Sequence, residues 1–459
     1  MRVFEWLFLF SFTPFLVIRF VPSRWQPGWV IVSALLPTLA CGIHLVVEGW
    51  RIQMFPLYIF AVIVLLIRLW GLLHRKPSQR LGHGLIANGL IIIFLVLNGI
   101  LAGWLLPIVE LPAPTGPYEV GIVDHALLDE ERGRRLMVSI WYPAAKGGTP
   151  APLTHYPDEV AAGLGNLAGF PGLPFQYLRY FKLSANEGAP LVAEGSPFPI
   201  LVFSHGLVGL RLQNSSTMQE LASRGYIVIA IDHTDAAAVT VFPDNEVRFY
   251  DLKRFRTPAD LEPSKDFVND RVFPAWVADQ RFIYDSLEKW AADDPVFGGR
   301  LDLTRIGSFG HSFGGATALE VCRIDMRCRA AVNMDGGLYG GIRNEPAVRP
   351  VLLMTSGDSS RNTEAVEKWT RMITNAHAPA FWLEIPNSTH FSFTITQLLS
   401  PLLVPRNFDP RAGLHTIDSY LLAFFDHHLR GIETAPSDQA SEKTDVHWFT
   451  EARLSPFRK

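Results

Sequence analysis

Two long stretches of the 459-residue chain, residues 25–47 and 81–109, contain no charged side chain. Each is longer than the roughly 20 apolar residues with which an α-helix crosses about 30 Å of hydrocarbon. A third apolar stretch, residues 54–73, is interrupted only by Arg68 near its end, where a guanidinium can reach the membrane interface. A shorter stretch, residues 6–18, is open to interpretation as a span, an interfacial helix or a signal-like segment, and the lack of a cleavage site after it favours a span. The sequence therefore predicts an N-terminal bundle of three to four transmembrane helices.

The charged residues are unevenly divided along the chain. Residues 1–106 carry eight basic and two acidic side chains, a balance of +6, which leaves −9 for residues 107–459. Five of the basic residues lie in the predicted loops 19–24 and 75–80, which face one side of a four-span bundle. Since cytoplasmic loops are enriched in Lys and Arg, this pattern predicts an integral protein of the plasma (inner) membrane whose C-terminal part lies outside the cytoplasm. Neither part has the basic surface that nucleic-acid binding requires, which excludes that class.

From residue 118 onward, short apolar runs with β-branched residues alternate with helical patterns. The predicted strands are residues 136–142, 199–203, 226–231, 305–309, 330–334, 350–355 and 381–385. The predicted helices are residues 213–224, 272–291, a segment after residue 312, 364–375 and 414–429. This alternation predicts an α/β fold, a mostly parallel sheet with helices on both faces. We expect an anchor domain at residues 1–106, a Pro-rich linker at 107–117 and an α/β domain at 118–459.

Two segments of the α/β domain, residues 161–183 and 234–270, do not fit the alternation. Loops of this length inside a compact domain are typical of lids or binding loops. The first is rich in aromatic residues, and an alternative interpretation is that they simply pack beneath the loop.

Residues 310–315 (GHSFGG) follow a predicted strand and open a predicted helix, which is the setting of a nucleophile elbow. The chain turns so sharply at Ser312 that a side chain two positions away on either side would clash, which accounts for Gly310 and Gly314. The N-terminus of the helix stabilises negative charge that develops at the serine. These features predict Ser312 as the nucleophile of an α/β-hydrolase fold.

A serine hydroxyl needs a base that is itself oriented by an acid. In α/β-hydrolases the acid and then the histidine follow the serine along the chain. Asp335 ends the next predicted strand and Asp358 ends the one after, and the residues alone leave both open as the acid. His390, in the loop after the last strand, is the predicted base. Three further histidines lie on a helical pattern and are interpreted as surface or core residues: His415, His427 and His428.

An oxyanion hole needs two backbone N–H groups aimed at the oxygen of the tetrahedral intermediate. The residue after the nucleophile, Phe313, is predicted to supply one. The other is expected from a loop after an earlier strand, and residues 204–207 (SHGL) follow the strand-like run PILVF. Leu207 is therefore the second predicted donor. His205 and His311 are interpreted as structural neighbours of the two oxyanion segments.

With these motifs the chain resembles the platelet-activating factor acetylhydrolase family of α/β-hydrolases. The resemblance rests on residues 141–143, 203–207, 231–233 and 310–315 and on the loops of Asp335 and His390, spread over most of residues 118–430. Because the family places its acid on the strand directly after the nucleophile helix, the resemblance implies Asp335 as the acid and leaves Asp358 a structural role. It also implies calcium-independent hydrolysis of a short or oxidised acyl ester at the sn-2 position of a phospholipid.

The motif inventory predicts no cofactor. The chain has no Cys-x-x-Cys, His-Glu-x-x-His or phosphate-binding loop, which argues against a metal or nucleotide partner. Of its three cysteines, Cys41 lies in a predicted span and is interpreted as a packing residue. Cys322 and Cys328 could form a disulfide outside the cytoplasm, and the sequence leaves their pairing open.

The sequence thus favours a membrane-anchored serine ester hydrolase acting on a lipid or small ester through Ser312, Asp335 and His390. One alternative uses the same acyl-enzyme in an esterase or acyltransferase for non-phospholipid esters. Another is an inactive hydrolase fold that serves as a scaffold, against which the complete and correctly ordered triad counts.

Overall fold

The computed structural model describes residues 1–22, 24–73, 85–195, 197–256, 266–433 and 447–448. These residues form two compact units. The first comprises Met1–Val109 with the short segments Gln176–Leu178 and Leu399–Leu402, and the second takes the rest of the described chain from Glu110 onward. The predicted basic loop 75–80 lies outside the described residues.

The first unit is helical. Its helices are α1 (Val3–Phe10), α2 (Thr13–Val17), α3 (Gln26–Val47), α4 (Phe55–Leu73) and α5 (Leu85–Ile100), and α5 continues into a π-helical turn, Leu101–Leu105. Three segments are long and apolar enough to cross a membrane: Gln26–Val47, Ile52–Gly71 and Ile86–Leu105. The apolar segment Val3–Val17 is shorter, and it is broken between α1 and α2.

Aromatic packing and a buried ion pair hold the first unit together. Phe8, Phe12 and Phe15 are buried in its apolar core. The buried Glu5 carboxylate accepts hydrogen bonds from Arg51 at 2.9 and 3.0 Å. Since a charge buried in an apolar bundle is costly without a partner, this pair fixes α1 against the segment that precedes α4.

The second unit is built on a large mixed sheet. Its strands are β1 (Glu119–Asp129), β2 (Arg134–Ala144), β3 (Thr149–Pro152), β4 (Lys182–Glu187), β5 (Phe198–Ser204), β6 (Ile227–Asp232), β9 (Leu301–His311), β10 (Cys328–Met334), β11 (Val351–Ser356), β12 (Ala380–Ile385) and β13 (His447–Trp448). A separate two-stranded sheet pairs β7 (Val239–Val241) with β8 (Val247–Phe249). The large sheet has the order β13-β12-β11-β10-β9-β5-β6-β2-β1-β4-β3.

The centre of this sheet is parallel, from β6 through β5, β9, β10 and β11 to β12. Its strands are buried along most of their length, as expected of strands covered on both faces. The helices of the unit are α6 (Pro157–Ala168), α7 (Ser215–Ser223), α8 (Phe273–Asp293), α9 (Phe313–Ile324), α10 (Thr363–Thr374) and α11 (Pro410–Phe425). The predicted α/β-hydrolase fold is confirmed. Because the carboxyl ends of parallel strands meet at one edge, the segments after β5, β9, β10 and β12 converge there.

Three parts of the second unit differ from the sequence-based interpretation. Residues 161–183 contain most of α6 and a 3-10 segment, Leu173–Tyr180, where a loop was expected. Strand β1 was not predicted, because its second half alternates between half-buried and exposed positions and lacks the continuous apolar run of the central strands. Of residues 234–270, those the structure describes include the hairpin β7–β8.

The end of the predicted linker is bonded to the second unit. Thr115 donates to the Glu220 carboxylate from its backbone N–H and its hydroxyl, both at 2.6 Å. Gly116 N–H donates to Ser223 Oγ at 3.0 Å. Both acceptors lie on α7, so these linker residues form part of the folded surface.

Candidate active site

Ser312 sits in a strained turn between β9 and α9. Its backbone has φ 56° and ψ −122°, a conformation that L-residues rarely adopt. A Cβ atom on Gly310 would lie 2.3 Å from the carbonyl carbon of Gly314, and one on Gly314 would lie 2.0 Å from the carbonyl oxygen of Ser204. Only glycine fits at either position, as the elbow motif requires. The half-buried Ser312 is thereby presented at the edge where the parallel strands end.

The structure brings His390 and Asp335 together. His390 Nδ1 donates a hydrogen bond to Asp335 Oδ2 at 2.8 Å. The Asp335 carboxylate also accepts bonds from Ser356 N–H at 2.7 Å and Oγ at 3.0 Å, and from Ser359 Oγ at 2.9 Å. Burial alone would raise the pKa of Asp335, but its bond to His390 and the serine donors hold that pKa below its ordinary value. The acid is therefore ionised, and Nε2 of His390 remains to accept a proton.

The other candidates from the sequence lie elsewhere. The exposed Asp358 carboxylate contacts Arg361 at 3.1 Å. His415 lies on α11, and His427 and His428 lie on the π-helical turn that follows, Asp426–Arg430. His427 contacts Glu433 at 2.8 Å.

Leu207 and Phe313 both offer a free backbone N–H. Within the described part of the chain, neither N–H group donates to a protein acceptor. The loop of Leu207 lies close to the nucleophile, because a Cβ atom on Gly206 would lie 3.2 Å from Ser312 Cβ. Two unpaired N–H groups next to a serine are what an oxyanion hole needs.

His311 connects the loop of His390 to Gln213 through two hydrogen bonds. The sequence did not predict this connection. The His311 ring donates from Nε2 to the carbonyl oxygen of His390 at 2.8 Å and accepts at Nδ1 from Gln213 Nε2 at 3.1 Å. Burial lowers the pKa of His311 to about 3, so this ring stays neutral near pH 7. The only sequence signal was the position of His311 directly before the nucleophile.

A second array of serine, histidine and aspartate is not among the residues that the sequence predicts. Ser204 Oγ lies 3.0 Å from His233 Nε2, and His233 Nδ1 lies 3.0 Å from Asp279 Oδ2. All three residues are completely buried, so none of them can contact a substrate. Nothing in the spacing of residues 204, 233 and 279 marks them, since they come from two strand ends and a helix.

Two remaining features concern cysteines and metals. Cys322 and Cys328 form a disulfide between the end of α9 and the start of β10, which resolves the pairing that the sequence left open. Among the residues that the structure describes, no group of three or more His, Cys, Asp or Glu side chains is arranged to hold a metal ion.

Comparison with solved structures places the fold among the esterases. The ferulic acid esterase from Streptomyces cinnamoneus superposes with a TM-score of 0.61 at 28% sequence identity, covering 76% of this chain and 100% of that one. The chain is thus an α/β-hydrolase of the carboxylic ester hydrolase class.

Sequence comparison then gives the family. The family model described as platelet-activating factor acetylhydrolase, isoform II, matches residues 106–251 and 293–445, and the chain belongs to that family. The platelet-activating factor acetylhydrolase of Cavia porcellus is 24% identical over 346 residues, 70% of this chain and 78% of that protein. A probable 1-alkyl-2-acetylglycerophosphocholine esterase of Arthroderma benhamiae is 27% identical over 341 residues, 68% of this chain and 82% of that protein.

Proposed function

We propose that the protein is a membrane-anchored phospholipid acyl hydrolase that removes a short or oxidised acyl group from the sn-2 position. The observation that carries the proposal is the hydrogen bond between His390 and the ionised Asp335, beside a serine held in a strained elbow. This combination supplies a base, its orienting acid and a half-buried nucleophile at the strand ends, which together perform acyl transfer.

In the proposed mechanism, Ser312 Oγ attacks the ester carbonyl carbon while His390 Nε2 takes the hydroxyl proton. The carbonyl electron pair moves to the oxygen, where the N–H groups of Leu207 and Phe313 stabilise the negative charge. The intermediate collapses with loss of the alcohol, which takes the proton from His390. Water then attacks the acyl-serine by the same path, with His390 again as the base, and releases the carboxylic acid.

The phospholipid substrate is inferred from the names of the relatives and from the apolar helices. One relative above is named as a platelet-activating factor acetylhydrolase and the other as a probable 1-alkyl-2-acetylglycerophosphocholine esterase. Among the described residues, three helices are long and apolar enough to cross a membrane, and such an anchor would keep the protein at a lipid bilayer. The likeness to a ferulic acid esterase supports a second candidate, an esterase for non-phospholipid esters.

We place residues 1–106 in the plasma (inner) membrane, with residues 118–459 as the catalytic domain outside the cytoplasm. The basic residues of the predicted loops support this orientation. The disulfide between Cys322 and Cys328 supports it independently, because disulfides persist in oxidising compartments and are rare in the cytosol.

Labelling with a fluorescent fluorophosphonate tests the mechanism. We expect the full-length protein in its membrane fraction to be labelled, Ser312→Ala to lose the label, and Ser286→Ala, a change at a half-buried serine of α8, to keep it. A folded wild-type protein that takes no label, with or without added bilayers, would support the scaffold alternative.

Substrate choice is tested by comparing kcat/KM for 1-alkyl-2-acetylglycerophosphocholine, its long-chain 2-acyl analogue, 4-nitrophenyl acetate and methyl ferulate. The proposal predicts the highest value for the short-chain phospholipid and at least a tenfold lower value for the long-chain analogue. A preference for methyl ferulate would favour the second candidate.

Protease added to cells with a permeabilised outer layer tests the orientation. We expect digestion of the catalytic domain while a cytoplasmic marker protein stays intact. Protection of the domain until the inner membrane is lysed would reverse the proposed topology.

A further inference from the structure

The buried array of Ser204, His233 and Asp279 has a defined order of hydrogen bonds. Asp279 accepts bonds from Arg134 Nε at 2.7 Å and from Arg132 Nη1 at 2.8 Å in addition to that from His233. Burial alone would raise the pKa of Asp279, but Arg134 and His233 hold it well below its usual range. Burial lowers the pKa of His233, although Asp279 opposes this effect. The neutral ring therefore donates from Nδ1 to Asp279, and its Nε2 faces the Ser204 hydroxyl at 3.0 Å, while Ser204 Oγ also lies 3.2 Å from Gln280 Oε1.

The hydrogen-bonded array lies directly next to the loop that carries Leu207. Ser204 ends β5, three residues before Leu207. The next residue, His205, accepts at Nε2 from the backbone N–H of His233 at 3.1 Å and donates from Nδ1 to the carbonyl oxygen of Gly206 at 2.6 Å. The two residues before Gly206 are thus both bonded to His233, one through its ring and one through its backbone.

The loop needs this support because it is strained. Val208, directly after Leu207, has φ 62°, which a β-branched residue rarely adopts, and its N–H donates to Ala236 O at 3.0 Å. Leu207 therefore lies between an anchored residue on each side, with its own N–H unpaired in the described structure. Strained backbone persists only where its surroundings over-determine it.

The array is also connected through ring packing to Phe313, the second proposed oxyanion donor. The indole of Trp276 stacks on the His233 ring with a centroid distance of 3.8 Å and meets the Phe313 ring edge-on at 4.9 Å. Trp276 and Asp279 both lie on α8, so one helix supports the residues that carry both proposed donors.

We propose that the buried array of Ser204, His233 and Asp279 positions the oxyanion hole. His233 is its central residue, because it is bonded to both of the others. The three residues set the Leu207 N–H where the oxygen of the tetrahedral intermediate forms, and they take no part in proton transfer to substrate. This inference rests on the proposed function, since an oxyanion hole matters only if Ser312 attacks an ester.

The positioning role of the buried array is tested with Ser204→Ala in the full-length enzyme. The matched control is Ser139→Ala on β2, a completely buried hydroxyl that donates to Asp124 at 2.6 Å and accepts from Arg211 at 2.9 Å, with no hydrogen bond to residues 204–207. We expect kcat/KM for 4-nitrophenyl acetate to fall about tenfold to 100-fold in Ser204→Ala and to stay within about threefold of wild type in the control. The complete loss of one oxyanion donor costs about 10²- to 10³-fold, and displacement of a donor costs less.

An inhibitor pair separates positioning from general damage. An alkyl trifluoromethyl ketone bonds through its carbonyl carbon to Ser312 Oγ, the serine proton passes to His390, and the carbonyl electron pair becomes an oxyanion in the hole. The matching trifluoromethyl alcohol has no carbonyl and forms no oxyanion. We expect the inhibition constant of the ketone to rise by the same factor as kcat/KM falls, and that of the alcohol to stay constant.

Asp279→Asn provides a second variant of equal size, in case Ser204→Ala does not fold. It removes the charge that fixes the His233 tautomer, and the same parallel change in kcat/KM and ketone inhibition is expected. Equal losses in Ser139→Ala, or equal weakening of both inhibitors, would overturn the positioning role. Unchanged kinetics in Ser204→Ala and Asp279→Asn with loss of turnover in Ser312→Ala would overturn this inference alone, whereas turnover by Ser312→Ala would overturn the proposed function as well.

Discussion

The Asp335 carboxylate lies 2.8 Å from His390 Nδ1, whereas the Asp358 carboxylate, one strand further along the sheet, contacts only the exposed Arg361 within the described ion pairs. The two aspartates were equivalent candidates by sequence pattern. They differ in burial, because Asp335 is 4% exposed and accepts bonds from Ser356 and Ser359, while Asp358 points to solvent.

Replacement of these aspartates by asparagine therefore has unequal consequences. We expect Asp335→Asn to lower kcat by about 10³- to 10⁴-fold, because the amide no longer holds His390 in the tautomer that accepts a proton at Nε2. Asp358→Asn, the matched control, should change kcat less than about threefold. Steady-state kinetics on a soluble aryl ester measures both, and a larger loss in Asp358→Asn would move the acid to the later strand.

Gly314→Ala tests the elbow. Its added methyl group would lie 2.0 Å from Ser204 O and 2.4 Å from His205 O, both backbone atoms that cannot move without displacing the oxyanion loop. We expect loss of at least about 100-fold in kcat/KM, or failure of the variant to accumulate. Gly337→Ala is the control, because its Cβ would meet only the Tyr339 ring at 3.6 Å, an ordinary contact. Wild-type activity in Gly314→Ala would contradict the requirement for glycine at this position.

Acid lowers the stability of the fold through buried neutral histidines. Burial lowers the pKa of His205 to about 4 and that of His311 to about 3, compared with about 6.5 in the unfolded chain. The unfolded state therefore binds more protons below pH 6.5, so the contribution of these rings to stability is complete above that pH. It is lost progressively as the pH falls from 6.5 toward the folded values.

We expect the free energy of unfolding of the detergent-solubilised protein to fall between pH 6.5 and 4.5 as measured by urea denaturation. His311→Gln should reduce this slope by up to about 1.4 kcal/mol per pH unit, the value for one proton. The carboxylate of Asp335 contributes below this window, since its lowered pKa matters only under the unfolded value of about 3.9. His377→Gln, at an exposed site, is the control and should leave the slope unchanged. An identical slope in His311→Gln would contradict a buried neutral ring.

The fold was largely predictable from the sequence where elements are buried on both faces. Strands such as β5 and β6 are continuous apolar runs, and the elbow at Ser312 requires glycine at fixed positions, so both leave a local signal. The same holds for the apolar helices of the first unit. Strand β1 and helix α6 left weak signals, because each is only partly buried and owes its structure to the neighbours on which it packs.

Only part of the candidate active site leaves such a local signal in the sequence. Ser312, Asp335 and His390 follow strands in the chain order that acyl transfer on this fold requires, so pattern and family resemblance were enough to nominate them. The supporting residues were not, because the contact of Gln213 with His311 and that of Ser204 with His233 join distant segments. Such contacts depend on side-chain directions that exist only in the folded chain.

The disulfide between Cys322 and Cys328 gives a last prediction, since it joins the end of the nucleophile helix to the strand that carries the proposed acid. The chain has three cysteines, and Cys41 is the free one. We expect denatured, unreduced protein from cells to be alkylated at one cysteine, and reduced protein at three. Because a six-residue separation closes a short loop, replacing both by alanine should lower the free energy of unfolding by about 2 kcal/mol. Cys41→Ala is the control and should lower each alkylation count by one. Three reactive thiols in the unreduced wild-type protein would indicate that this domain matures in a reducing compartment.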